Sequence, residues 1–159
     1  GFSLTAQIKW PNDVLLDGRK VAGILVESVW NGETVDCVVI GVGMNIHRQS
    51  VPPAEMLNFP ATSLEEALGE SVPPRELVLR DILAAFLEGR PRLATDDLIA
   101  EWEENLAYKG QKVEVRKRED RIVRGAVLGL ASDGSLLLDD ERGKRVTIRF
   151  GDVRLRPSG

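Results

Sequence analysis

The sequence predicts an α+β protein in two pieces. The first, residues 1–109, is a mixed, mostly antiparallel sheet with packed helices; the second, residues 110–159, is a small SH3-like β-barrel. Three observations carry this expectation. Two hairpin signals near the start, Asp17-Gly18 and Asn31-Gly32, separate apolar runs of strand length. Apolar stripes at helical spacing follow between residues 63 and 104. From Gly110 the pattern shortens to five brief strands, and the charge changes sign: 12 basic against 8 acidic residues over 110–159, or +4, against −8 over 1–109.

Taken in order, Gln7 to Trp10 reads as extended, with Pro11 holding Trp10 away from helical geometry. Val14 to Leu16 leads into the first turn, and Val21 to Val29 and Val35 to Val42 flank the second. Val21–Val26 and Val38–Val42 are apolar at nearly every position, so both faces of these strands are expected to be covered. Residues 47–61, rich in proline, read as a binding loop or lid. Ser63-Leu64-Glu65-Glu66 has the form of a capping box with Gly69 as its stop. A longer helix over Arg75 to Glu88 carries the stripe Leu79, Ile82, Leu83, Phe86 and Leu87. Thr95 is the expected cap of a third helix, with Leu98 and Trp102 inward and Glu101, Glu103 and Glu104 facing water. The barrel strands are Val113–Val115, Ile122–Leu130, Leu136–Leu138, Val146–Phe150 and Val153–Leu155, with turns at Asp120-Arg121, Asp133-Gly134 and Arg142-Gly143.

Composition excludes several classes. At 43% hydrophobic and 29% charged the 159 residues can build a core, and no apolar run approaches the length of a membrane helix. One cysteine, Cys37, excludes an internal disulfide framework, fits a reducing cytoplasm, and reads as a buried small hydrophobe. One histidine, His47, and one cysteine leave a His/Cys zinc cage without enough ligands, so no protein metal site is expected. No nucleophile elbow or Gly-Lys-Ser/Thr phosphate loop is present, and Gly41-Val42-Gly43 lacks the third glycine of a dinucleotide fingerprint. The basic tail interleaves its cations with acids, as a solvated surface does, and Asp139-Asp140-Glu141 reads as a solvated hairpin tip.

Two segments could carry chemistry. In Ile8-Lys9-Trp10-Pro11-Asn12-Asp13, alternation puts Ile8 and Trp10 on one face and Lys9 on the other. An ammonium held at a strand end suits a reaction that develops negative charge on a carboxylate or α-phosphate. The same residues also read as a surface lysine beside a core tryptophan and an Asx turn, and on the residues alone that plainer reading is favoured. In Ala22-Gly23-Ile24-Leu25 and Gly41-Val42-Gly43-Met44-Asn45, glycines inside strands let a ligand approach the backbone, or let a helix pack closely. The two readings weigh equally.

The ordered set Lys9-Trp10-Pro11-Asn12-Asp13, Arg19-Lys20-Val21-Ala22-Gly23-Ile24-Leu25-Val26-Glu27, Gly41-Val42-Gly43-Met44-Asn45 and Ala61-Thr62-Ser63-Leu64 resembles the biotin–protein ligase family, also known as biotin–[acetyl-CoA-carboxylase] ligase or holocarboxylase synthetase. The tail, with Gly110-Gln111-Lys112-Val113, Asp133-Gly134-Ser135-Leu136 and Gly151-Asp152-Val153-Arg154-Leu155-Arg156, is similar to that family's C-terminal domain. The resemblance implies a class II synthetase-like sheet in residues 1–109. It also implies a two-step reaction: biotin and ATP give biotinyl-5′-AMP, and a lysine of the biotin carboxyl carrier protein then takes the biotinyl group. Carried onto this sequence, Lys9 is the catalytic lysine that contacts the biotin carboxylate and α-phosphate, and Gly23, Ile24 and Leu25 wall the biotin pocket. Asn45, with Gly43 and Asn12, falls on the ATP or adenylate side, Asn45 binding the phosphate region with Mg²⁺, while residues 47–61 cover the adenine. Trp10 and Asp13 organise the site. Homodimerisation is left open.

Departures from the family pattern are also expected to matter. A Gly/Arg-rich loop over biotin has no counterpart, since Gly18-Arg19 falls in a hairpin turn and Gly89-Arg90 follows a helix. No DNA-binding domain of the kind some ligases carry is expected in this chain. These features lead to the expectation of a C-terminal portion of a ligase, inactive by itself. The alternatives are a non-catalytic interaction module of the family and a lipoate- or octanoyl-transfer relative; the Lys-Trp-Pro-Asn-Asp segment joined to a barrel favours biotin.

Overall fold

The structure, a computed structural model, describes residues 4–69, 72–93, 95–116, 122–149 and 155–157. The turn at Asp120-Arg121 and the Gly151–Arg154 part of the tail motif lie outside the described residues. Two compact units emerge, Gly1–Gln7 with Asn12–Arg75 and Ile8–Pro11 with Glu76–Gly159. Compactness thus divides the chain near residue 75, whereas composition and charge change at residue 110.

The first sheet has the strand order β1-β2-β3-β4, with β1 Ala6–Lys9, β2 Asp13–Leu16, β3 Arg19–Asn31 and β4 Thr34–Met44. Asp17 and Gly18 both have positive φ, 48° and 71°, as a two-residue turn matching the strand twist requires. The second hairpin turns on Gly32 and Glu33, one residue later than expected, because Asn31 pairs with Thr34 as the last rung. Its ladder is regular from Ala22↔Met44 to Val29↔Cys37.

The expectation that both faces of β3 and β4 are covered is not met. Leu25, Val26 and Val39 are 58%, 59% and 53% exposed, and Cys37 is exposed rather than buried. An apolar strand is buried only if something packs on it, and among the described residues nothing does so over the outer part of this hairpin. The small core of the unit lies at its inner end, where Leu16, Val21 and Ala22 meet Leu64 and Ala67 of helix α1 (Leu64–Leu68). The capping box forms only by half. Ser63 Oγ accepts the Glu66 N–H, while the Glu66 carboxylate takes Arg19 and the Thr62 hydroxyl instead. Residues 47–61 contain two single 3-10 turns, Arg48–Ser50 and Ala54–Met56.

In the second unit, helix α2 (Arg75–Gly89) leaves Leu79, Leu83, Phe86 and Leu87 of its expected inward stripe exposed. Thr95 stands at the N-cap of α3 (Asp96–Glu104), but its hydroxyl donates to Arg92 O and makes no cap hydrogen bond. Glu103, expected in water, instead docks: its carboxylate accepts the Leu130 N–H at 3.0 Å and the Lys109 ammonium at 2.5 Å.

The sheet of this unit has five strands in the order β8-β7-β6-β5-β9. They are β5 Lys112–Arg116, β6 Ile122–Leu130, β7 Leu136–Asp140, β8 Arg145–Ile148 and β9 Leu155–Pro157. All their described pairings are antiparallel. Alternate residues Val113, Val115, Leu136 and Leu138 are fully buried, and Trp10 and Leu106 complete the same core. Asp140 is not simply solvated, since its Oδ1 accepts the N–H groups of Arg142 and Lys144 and shapes the β7–β8 turn. These bonds hold its carboxyl below the usual range.

Candidate functional site

The inner end of the β3–β4 hairpin borders an open cleft of about 770 Å³ in the first unit. Gly23, Ile24 and Leu25 from β3, Gly43 near the end of β4, Asn45 just beyond it, and Asn12 all line it. Six of the seven residues singled out from the sequence are thus brought together. Lys9 is not. It belongs to the Ile8–Pro11 segment grouped with the second unit, is 6% exposed, and is not among the lining residues. Lys9 and Trp10 are both buried.

Regular pairing decides what the glycines do. Gly23 faces Gly43, and Gly41 faces Leu25, with no bulge between them. A Cβ on Gly41 would meet nothing nearer than Leu25 O at 3.8 Å, and one on Gly43 nothing nearer than Gly23 O at 4.0 Å. Neither close helix packing nor backbone strain therefore demands glycine at these positions. The missing side chains leave room on the sheet itself, as a ligand lying on the strands would need.

Two asparagines anchor the rim. Asn12 clamps β3 at one residue, donating Nδ2–H to Ile24 O at 2.6 Å while its own carbonyl accepts the Ile24 N–H. Asn45, which lines the cleft, donates Nδ2–H to Thr62 O at 3.1 Å, and its Oδ1 is a hard oxygen acceptor. That atom fits Mg²⁺, which is commonly held by one or two protein oxygens together with substrate phosphates.

The sequence reading gave no role in ligand binding to a further pair. Lys20 Nζ lies 2.5 Å from Asp13 Oδ1, and both residues line the cleft. The cause is a bulge: Val14 pairs with Ala22, but Leu15 pairs with Lys20, so Val21 is extra in β3. Residues three apart on a regular strand point to opposite faces. The inserted residue reverses that parity and lays the Lys20 ammonium over Gly23, where a Cβ would meet Nζ at 3.0 Å. The apolar pair Val21-Ala22, both buried, is the signal in the sequence that alternation breaks here.

Comparison with known proteins places these residues in context. Residues 3–45 match the Biotin/lipoate A/B protein ligase family, and residues 109–156 match the Biotin protein ligase C terminal domain. The chain is 33% identical over 155 residues to the bifunctional ligase/repressor BirA of Bacillus spizizenii, covering 96% of this chain and 47% of that protein. It is 34% identical over 146 residues to the biotin–[acetyl-CoA-carboxylase] ligase of Paracoccus denitrificans, covering 87% and 59%. Its structure is similar to that of the biotin protein ligase from Aquifex aeolicus in complex with biotin and ATP, with a TM-score of 0.76, 27% identity, and coverage of 96% of this chain and 62% of that one. The chain spans about half the length of the curated relatives it matches. With both matches in the same order along the chain, and the cleft built almost wholly from residues of the first, this chain belongs to the biotin protein ligase family.

Proposed function

We propose that this chain carries substrate-binding parts of a biotin–protein ligase. In the reaction, a biotin carboxylate oxygen attacks the α-phosphorus of ATP and pyrophosphate leaves. A lysine amine of the biotin carboxyl carrier protein then attacks the acyl carbon, and AMP leaves. The observation that carries this reading is the cleft whose floor is open at Gly41 and Gly43, bordered by Ile24, Leu25 and the Asn45 amide.

In this reading Gly23, Ile24 and Leu25 receive biotin, while Asn12, Gly43 and Asn45 lie on the adenylate side. Asn45 Oδ1 would help to hold Mg²⁺, which supplies charge neutralisation at the phosphates when bound. Lys9 is the catalytic cation that the family resemblance implies, a role that a fixed backbone suits. Residues 110–159 act as a C-terminal module of SH3-like type, supported by the five short antiparallel strands. The acceptor is the carrier protein of a cytoplasmic carboxylase.

The test is biotin-dependent exchange of labelled pyrophosphate into ATP by the product of the complete reading frame, followed by mass spectrometry of a carrier protein. Exchange and a biotinyl adduct on one lysine are expected. Exchange that requires lipoate or octanoate instead of biotin overturns the substrate, and no exchange with any of the three overturns the ligase reading.

A further inference from the structure

Three residues that do not line the cleft, Arg19, Thr62 and Glu66, are joined by hydrogen bonds to one that does, Asn45. We propose that Arg19, Glu66 and Thr62 form a relay that positions the Asn45 amide for the nucleotide phosphates and their Mg²⁺. This rests on the ligase reading above and adds positioning residues to it.

The relay runs inward from the surface. Arg19 Nη1 donates to Glu66 Oε1 at 2.5 Å, and both side chains are partly exposed. The other carboxylate oxygen, Glu66 Oε2, accepts the Thr62 hydroxyl at 3.0 Å. Thr62 is fully buried, and its N–H donates to Lys20 O at 2.9 Å. Its carbonyl oxygen accepts Asn45 Nδ2–H at 3.1 Å. Asn45 is fixed at two further atoms, its N–H donating to Val21 O at 2.8 Å and its carbonyl accepting the Leu64 N–H at 2.9 Å.

Each link follows from the chemistry of its groups. A buried hydroxyl needs an acceptor. The Glu66 carboxylate supplies one to Thr62 instead of reaching back to the Ser63 N–H, as a complete capping box would have it do. The Arg19 hydrogen bond first, and the Thr62 hydroxyl next, hold the Glu66 carboxyl below its ordinary value of 4.5, so the acceptor is ionised at neutral pH. A carbonyl oxygen can only accept, so Thr62 O fixes which end of the Asn45 amide turns towards it. Groups standing behind a ligand orient it in this way, and a site works only when its ligands are held to within about 0.5 Å.

Titration calorimetry on the product of the complete reading frame tests this. Biotinol, which lacks the carboxylate that would react, is titrated first, and Mg·ATP is then titrated into the biotinol-saturated protein. Glu66→Ala is expected to weaken Mg·ATP binding by about 10- to 100-fold, the usual cost of removing a group that orients a metal ligand. Biotinol should bind as to the wild type, which also reports that the variant is folded. Glu66→Gln, whose amide oxygen can still accept the Thr62 hydroxyl, should restore most of the Mg·ATP affinity. In an Asn45→Ala background Glu66→Ala should cost nothing more, the coupling a positioning residue shows. Wild-type Mg·ATP affinity in Glu66→Ala, or a full second loss on top of Asn45→Ala, overturns the relay. Should Glu66→Ala fail to bind biotinol, Thr62→Val decides: the same selective loss of Mg·ATP is expected, and wild-type affinity overturns the relay. Asn45→Ala with wild-type Mg·ATP affinity removes Asn45 from the phosphates and the relay with it, leaving the biotin side of the ligase reading standing. A wild-type protein that binds neither ligand overturns the ligase reading itself.

Discussion

The indole N–H of Trp10 donates to the carbonyl oxygen of Gly134 at 2.9 Å, joining residues 124 positions apart in the chain. Trp10 is 3% exposed and packs with Val113, Val115, Leu136 and Ile148, so this bond is made from inside the core of the second unit. Gly134 has a φ of +75°, and a Cβ there would lie 3.1 Å from the Trp102 ring, which suits glycine on both counts. Just before Lys9, Ile8 is pinned by Asn105 O and the Ala107 N–H. The Lys9 backbone is therefore held between two residues whose places are set by the second unit.

Trp10→Phe removes the donor and part of the ring. It should cost about 1–3 kcal/mol, and Trp10→Ala about 3–5 kcal/mol, the range for large aromatic-to-alanine changes in a core. Urea denaturation followed by circular dichroism checks both values. A Trp10→Ala protein as stable as the wild type would remove Trp10 from the core.

Lys9→Ala in the product of the complete reading frame should slow adenylate formation by about 10²–10³-fold, the usual cost of removing one electrostatic stabiliser. Pyrophosphate exchange reads this directly. An unchanged rate would leave Lys9 as a buried structural cation and nothing more.

Gly41→Val places a branched side chain where a Cβ has 3.8 Å of clearance. Folding stability should change by no more than about 0.5 kcal/mol, as at other unpacked surface positions. Biotin affinity should fall by about tenfold or more, because the space on the strand is taken. Parallel melting and biotin-binding curves separate the two effects; equal affinity would mean that the ligand does not lie on β4.

Glu103 has its carboxyl held below its ordinary value of 4.5, chiefly by the Leu130 N–H and next by Lys109, while partial burial opposes them. A group whose pKa is depressed by folding contributes stability above its unfolded pKa and loses it as pH falls through the folded value. The contribution from Glu103 should be complete above about pH 4.5 and decline below it. Glu103→Gln should flatten that part of the urea-midpoint profile, and an identical slope in the variant would refute the linkage. Gly129→Ala should disturb the same contact, since a Cβ there would lie 2.5 Å from Glu103 Oε2.

The outer β3–β4 hairpin presents Val26, Val38 and Ile40 on one face, all more than 40% exposed. A chain of these 159 residues should bind a hydrophobic dye and self-associate with rising concentration. Val26→Lys together with Ile40→Lys, a cross-strand pair, should reduce both signals. Light scattering across a concentration series is the check, and scattering unchanged by the two lysines would exclude this face.

Local chemistry was legible in the sequence. Asp17-Gly18 specified a tight turn because few residue pairs tolerate two positive φ angles in succession, and Ser63 specified a helix start because its hydroxyl can take an orphan N–H. The glycines and asparagines of the cleft could be named for the same reason, as each alters its own backbone or rim. What only the tertiary structure decided was every property that needs a second surface. Apolarity marked Leu25, Val39 and Cys37 as suited to burial, yet burial requires a partner, and among the described residues they have none over that face. Glu103 looked solvated until Leu130 and Lys109 arrived from other elements. Lys20 lay one parity step from the site, and a single inserted residue in its pairing with β2, set by three-dimensional register rather than by composition, turned it into the cleft.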